Sequence, residues 1–183
     1  VGSDVCRELE ERGIPYVGSS HQEADITSLE SLESFFAKHQ PTHIVNCAAN
    51  VNVDLAEKQE KEMAYTVNTL GSENLAKCAI AGKARLIHIS TDYVFDGEKG
   101  SDYEEGDATN AINVYGQTKL DGERRIMEIY PEGSCSIRTA SLYGLEKDGL
   151  ITGIVGALKE GETVHHFSNQ VSSPTYTKDL AKA

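Results

Sequence analysis

A tyrosine and a lysine, Tyr115 and Lys119, open a strongly helical run in Tyr115-Gly116-Gln117-Thr118-Lys119. This i,i+4 spacing puts both side chains on one helix face, one turn apart. An ammonium about 5 Å from a phenol favours the phenolate by about 3 kcal/mol at an effective dielectric of about 20, but by under about 1 kcal/mol in bulk water. Such a pair does acid–base chemistry only in a partly enclosed cleft. The same spacing recurs at Tyr143 and Lys147, directly after a strand in Leu142-Tyr143-Gly144. A loop does not hold i,i+4 geometry, so that second pair is read as accidental. Two more polar clusters close apolar runs: Ser90-Thr91-Asp92 ends RLIHIS, and Asn46 with the small pair Ala48-Ala49 ends HIVNCA.

The elements that must position these groups alternate along the chain. Gly2 to Arg12 reads as a helix stopped at Gly13, and Ile14 to Gly18 as a short strand. Thr27-Ser28-Leu29-Glu30 reads as a capping box with Thr27 as the cap. The helix it opens carries Leu29, Leu32, Phe35 and Phe36 on one face and stops at Pro41. His43 to Ala48 is nearly all apolar, the pattern of a parallel strand covered on both faces. Asp54 to Ala81 contains a long helical stretch, with a buried stripe from Ala64 to Ile80 and closed by Gly82. Arg85 to Ser90 is the next strand, Asn113 to Tyr130 the next helix, and Cys135 to Ala140 another strand. A helix at Leu150 to Lys159, a strand at Thr163 to Phe167 and a loop into Pro174 follow. Strands alternating with helices imply βαβ units, a doubly wound parallel sheet and an α/β, Rossmann-like fold. Ligands in such sheets bind beyond the carboxyl ends of the strands.

A formal charge of −12 argues against a phosphate-backbone binder, so no nucleic acid is expected as partner. No apolar run is long enough to span a bilayer. Cys6, Cys47, Cys78 and Cys135 are scattered with no C-x-x-C pair, which reads as a reduced, cytoplasmic protein. The adjacent His165 and His166 would point to opposite strand faces, and no metal site is expected. The chain opens directly into a helix, without the strand and Gly-rich turn that cradle a pyrophosphate, and stops where a helix begins. It is therefore read as trimmed at both ends, and expected by itself to bind dinucleotide poorly.

Several longer stretches carry a family resemblance. STDYVFDG at 90–97, NVYGQTKLDGE at 113–123, NCAANVNVDLAE at 46–57, RTASLYG at 138–144 and QVSSPTYTKDLA at 170–181 resemble extended short-chain dehydrogenases/reductases, in their dTDP-4-dehydrorhamnose reductase branch. The resemblance implies a dinucleotide-binding domain over 1–145 and the start of a smaller, C-terminal substrate-binding region over 146–183. It implies NADPH-dependent reduction of the 4-keto group of a nucleotide-linked 6-deoxy sugar. Thr91 would hydrogen-bond the carbonyl oxygen, Tyr115 would give it a proton, and Lys119 would lower the Tyr115 pKa and hold the nicotinamide ribose. Asn68 matches the helix Asn that orders the proton path. Asp25 and Ile26 match the pair that meets the adenine, Ala48 and Ala49 would let the cofactor lie against the strand end, and Gly2 matches the last glycine of the phosphate loop.

Ser19, Ser20 and His21 offer no acid for a ribose 2′-hydroxyl, which leans toward NADPH and leaves NADH open. Ser141 stands where the branch usually carries Trp, and Leu55 where it usually carries Lys, so the identity of the sugar stays open. So do two alternatives: a reductase or epimerase of another nucleotide sugar, and a non-catalytic NADP-binding subunit resembling the regulatory beta subunit of methionine adenosyltransferase. A homodimer is compatible with all of them.

Overall fold

The computed structural model describes residues 1–144, 149–165, 168–169 and 171–183. Two compact units emerge, a larger one of Ser19–Arg138 and a smaller one of Val1–Gly18 with Thr139–Ala183.

In the larger unit, helix α2 (Leu29–His39) leads into strand β1 (His43–Asn46). Helices α3 (Val53–Lys58) and α4 (Lys61–Tyr65) follow, then a π-helical turn (Thr66–Leu70) and α5 (Gly71–Gly82). Strand β2 (Arg85–Thr91) pairs in parallel with β1 in the register His43↔Arg85 to Asn46↔His88. Helix α6 (Val114–Ile129) then returns the chain to β3 (Ser134–Tyr143), whose first half belongs to this unit. The strand order within this unit is β1-β2-β3, chain order and sheet order coinciding, in a Rossmann-like α/β fold. A core of Ile26, Leu32, Leu75, Ala79, Leu86 and Ile126 joins α2, α5, α6 and β2.

The smaller unit holds α1 (Gly2–Glu11), the second half of β3, α7 (Leu150–Lys159), β4 (Pro174–Tyr176) and α8 (Thr177–Lys182). β4 pairs in parallel with β3, Ala140 facing Pro174 and Tyr143 facing Tyr176. Arg12 donates to the Lys182 carbonyl at 3.1 Å, linking the end of α1 to that of α8.

Four expectations change. Ile14 to Gly18 is irregular chain rather than strand. Pro15 has no N–H to give a ladder, and no described strand pairs with this segment. The cap of α2 is Ser28, accepting from Ser31 N–H at 3.2 Å, because Thr27 is engaged with Asp25 instead. The stretch 54–81 is broken at Gln59, which leaves helical geometry, and again by the π-helical turn. Residues 163–165 are not strand, and 166–167 lie outside the described residues.

Helix α6 lies against backbone. A Cβ on Gly116 would collide with the Tyr93 carbonyl, and one on Gly122 with the Asn68 carbonyl. Neither obstacle can swing aside as a side chain can. Gly116→Ala and Gly122→Ala should each destabilise the full-length protein by about 1–3 kcal/mol or more, despite Ala's better helix propensity. Urea unfolding of each variant measures this, and a gain in stability would show that α6 is free to move outward.

Candidate active site

Thr91 is the last residue of β2 and caps a 3₁₀ turn (Asp92–Val94), its hydroxyl accepting from Tyr93 N–H at 3.3 Å. The same hydroxyl donates to Asp92 Oδ1 at 3.1 Å. Tyr115 sits in the first turn of α6, which starts where Asn113 accepts from Gly116 N–H at 2.7 Å. Thr91 is near enough to Tyr115 to lower its pKa, so the carboxyl end of β2 and the amino end of α6 bring two hydroxyls together. The Tyr93 ring packs edge-on to that of Tyr115 with centroids 5.8 Å apart.

Lys119 follows one turn along α6 and is 1% exposed. Its Nζ donates to the Ile89 carbonyl at 2.7 Å and lies 3.0 Å from His88 Nε2. Burial brings its pKa down to about 8, while Glu123 and Cys47 pull the other way. The Glu123 carboxylate is itself held by Arg138, whose Nη2 reaches it at 2.7 Å. Burial also raises the Tyr115 pKa, opposed by Thr91 and reinforced by Asp92 and Tyr93. Asp92 is raised too, by burial first. Burial, and not a neighbouring ammonium, is the largest influence on Tyr115.

Asn68 lies in the π-helical turn. It accepts from Asn50 N–H at 2.8 Å and donates to the Asn50 carbonyl and the Thr118 hydroxyl, both at 3.0 Å. Thr69 donates to the Thr118 carbonyl at 2.8 Å. Asn68 thus ties the segment after β1 to α6. In that segment Ala48 is exposed and Ala49 half-buried, and Ala48 N–H donates to Asn46 Oδ1 at 3.0 Å. Asp25 accepts from Thr27 N–H at 2.9 Å and from its hydroxyl at 2.7 Å, and these bonds lower its pKa. Ile26 is buried in the core beside Gly71, and its carbonyl accepts from Asn74 at 3.0 Å.

The larger unit therefore places Thr91, Tyr115 and Lys119 at the end of β2 and the start of α6, and ties the Ala48–Asn50 segment to α6 through Asn68 and Thr118, with Asp25 and Ile26 elsewhere in that unit. Gly2 is the first residue of α1, in the smaller unit. Tyr143 stacks on Tyr176 at 5.3 Å, and Lys147 lies outside the described residues. An open groove of about 840 Å³ runs along α4 and α6, lined by Lys61, Tyr65, Ile112, Gln117 and Asp121 among others; Thr91, Tyr115 and Lys119 are not in its lining. Sequence reasoning missed His88, whose visible signal is a lone ionisable residue inside an otherwise apolar strand.

The model of the RmlD substrate binding domain family matches residues 1–183, the whole chain. The chain belongs to this family. It is 37% identical over 182 residues to a dTDP-4-keto-6-deoxy-D-glucose reductase of Streptomyces niveus, covering 100% of this chain and 63% of that one. A dTDP-4-dehydrorhamnose reductase of Streptomyces griseus is 36% identical over 181 residues, 99% of this chain and 59% of that one. Among solved structures, the Bacillus anthracis dTDP-4-dehydrorhamnose reductase in complex with NADP superposes with a TM-score of 0.94 at 32% identity, over 99% of this chain and 64% of that chain. The chain thus spans less than two thirds of the length of these family members.

His88 is 0% exposed, and its pKa falls from 6.5 to about 3, by burial first and then by Lys119. Between those values the unfolded chain binds the proton that the folded one refuses, so stability rises with pH across this window and is lost as pH falls through it. The difference in unfolding free energy between wild type and His88→Gln should change by several kcal/mol from about pH 6.5 to about pH 3, and stay level from pH 6.5 to 7.5. Urea titrations of the full-length proteins across that range check it; a flat difference would mean that His88 charges in place.

Proposed function

We propose that the full-length protein reduces the 4-keto group of a nucleotide-linked 6-deoxy sugar with NADPH, NADH being the second choice of cofactor. The observation that carries this reading is the convergence of the Thr91 and Tyr115 hydroxyls, with the buried Lys119 amine one turn behind. The dTDP-sugar reductases among its relatives support it. At the strand end the residues fit a nicotinamide cofactor, Ala48 and Ala49 presenting only methyl groups after β1; Lys119, buried with its Nζ on the Ile89 carbonyl, would have to turn outward to donate to ribose hydroxyls. When bound, the reduced nicotinamide supplies the hydride. Negative charge then develops on the former carbonyl oxygen as its carbon gains a hydrogen. Tyr115 passes its O–H proton to that oxygen, and Thr91 turns its hydroxyl proton from Asp92 to donate a second hydrogen bond to it. Lys119 stabilises the phenolate left on Tyr115 and returns a proton to it. Asn68 keeps the Ala48–Asn50 segment fixed against α6 while this happens. Asp25 and Ile26 would meet the adenine, Gly2 the pyrophosphate, and 146–183 would begin the sugar-binding region.

The dTDP-linked rhamnose precursor is the substrate this reading favours. A different nucleotide sugar is the second reading, favoured by Ser141: it takes a left-handed φ of 43° and its hydroxyl lies 2.6 Å from that of Ser172. That is a small polar group where the family branch usually has Trp. Cys47 and Cys135 are exposed thiols, which suits a reducing cytoplasm.

Full-length protein should oxidise NADPH in the presence of a dTDP-4-keto-6-deoxy sugar, and Tyr115→Phe should lower kcat by about 10²–10⁴ with a folded protein. Undiminished turnover in Tyr115→Phe would remove this residue as the acid. Absence of turnover with a panel of 4-keto nucleotide sugars would remove the reductase reading itself.

A further inference from the structure

Behind the site, four groups form a hydrogen-bond chain whose direction is fixed at one end. Ala48 N–H can only donate, and it donates to Asn46 Oδ1 at 3.0 Å. The other half of that amide, Nδ2, therefore faces His88 Nδ1, at 3.0 Å. Asn46 and His88 are direct cross-strand partners in the β1–β2 register, which is what puts the two side chains on one face. An amide N–H₂ has no lone pair to offer, so His88 Nδ1 must accept, and in a neutral ring the proton then sits on Nε2. His88 Nε2 lies 3.0 Å from Lys119 Nζ. An Nε2–H facing an ammonium sets donor against donor. Facing a neutral amine it makes a good hydrogen bond, and that amine still has N–H to donate to the Ile89 carbonyl at 2.7 Å. Asn46, His88 and Lys119 are all buried, so water does not relieve the mismatch.

We propose that His88 is a positioning residue: held by Asn46 as the Nε2–H tautomer, it donates to the Lys119 amine and makes that lysine a group that trades its proton rather than a fixed cation. The low pKa of the buried lysine is in keeping with this geometry. The charged and titratable groups acting on Lys119 come from three elements: His88 on β2, Cys47 after β1 and Glu123 on α6. Of these, Cys47 and Glu123 favour the ammonium and burial opposes it; the part His88 plays is the N–H it turns toward Nζ. Protonating Lys119 reverses the chain. His88 moves its proton to Nδ1, and the Asn46 amide must turn its carbonyl toward the ring and give up Ala48 N–H. The protonation of the lysine and the backbone N–H of the small-residue segment are thus coupled. The consequence for catalysis rests on the reductase reading: a lysine that exchanges protons near neutral pH can resupply Tyr115 after each turnover.

The test is nitrogen NMR of full-length, ligand-free protein labelled at histidine and lysine, titrated between pH 6 and 11. His88 is expected as the Nε2–H tautomer at pH 9 and above, with Lys119 titrating near 8 and the His88 tautomer changing with it. A His88 ring protonated on Nδ1 at pH 9 or above, or a Lys119 ammonium that persists to its ordinary pH range, overturns the proposal in the wild type alone. Asn46→Asp supplies the variant: its carboxylate accepts from both Ala48 N–H and His88, so His88 should switch to Nδ1–H. The Lys119 midpoint should then rise by about one pH unit or more. A variant that keeps the Nε2–H tautomer overturns the proposal, whereas a merely structural role for Asn46 would alter stability without reversing the tautomer. Because these signals are read without substrate or cofactor, a failed reductase reading shows up as absent turnover and leaves them untouched.

Discussion

A lysine sealed inside a protein must find hydrogen-bond partners at fixed places, and the larger unit is arranged around that need. Lys119 reaches the Ile89 carbonyl and His88 because α6 lies hard against its neighbours. That approach requires Gly116 beneath the Tyr93 backbone and Gly122 beneath Asn68. It is secured by Asn68 and Thr69, which bond Thr118 on the same helix, and by the paired contacts between Glu123 and Arg138. Loosening any of these would move Nζ away from its acceptor, and a buried amine without partners costs more than a hydrogen bond gains.

Burial moves four titratable groups around β2 and α6 toward their uncharged forms. Asp92 and Tyr115 are shifted up, Lys119 and His88 down. These shifts are local to the buried ends of β2 and α6, in a chain that as a whole carries −12. The i,i+4 pair of Tyr115 and Lys119 was expected to act through a standing ammonium; in the structure the hydroxyl's nearest influences are Thr91, Asp92 and Tyr93.

Much of this arrangement was legible in local pattern. β1 and β2 are short runs with apolar centres, although Val45 of β1 stays exposed where cover on both faces was expected, and α6 is announced by Asn113 and closed by Pro131. Thr91, Tyr115 and Lys119 were visible because strand ends and helix starts are where such sheets gather polar groups. What stayed hidden depends on partners distant in sequence. Ile14–Gly18 has strand composition but finds no described ladder, and Thr27 loses the cap to Ser28 because Asp25 competes for it. The breaks within 54–81 follow from the need to bring Asn68 to Asn50 and Thr118, which no periodicity shows. The role of His88 depends on its register opposite Asn46, set only once β1 and β2 pair.

The π-helical turn at Thr66–Leu70 has one further implication, for insertions and deletions. A wide turn holds one residue more than an α-helical turn would, and it absorbs that surplus within its own circumference. Removing a single residue there would restore regular α-helix and leave α5 in phase. Leu75, Ala76 and Ala79 would keep their places in the core, and Lys77 its pairing with Glu73 at the surface. What the deletion would take away is the outward swell that carries Asn68 to Asn50 and Thr118: the segment can shed a residue without unpacking α5, but not without withdrawing Asn68 from the site.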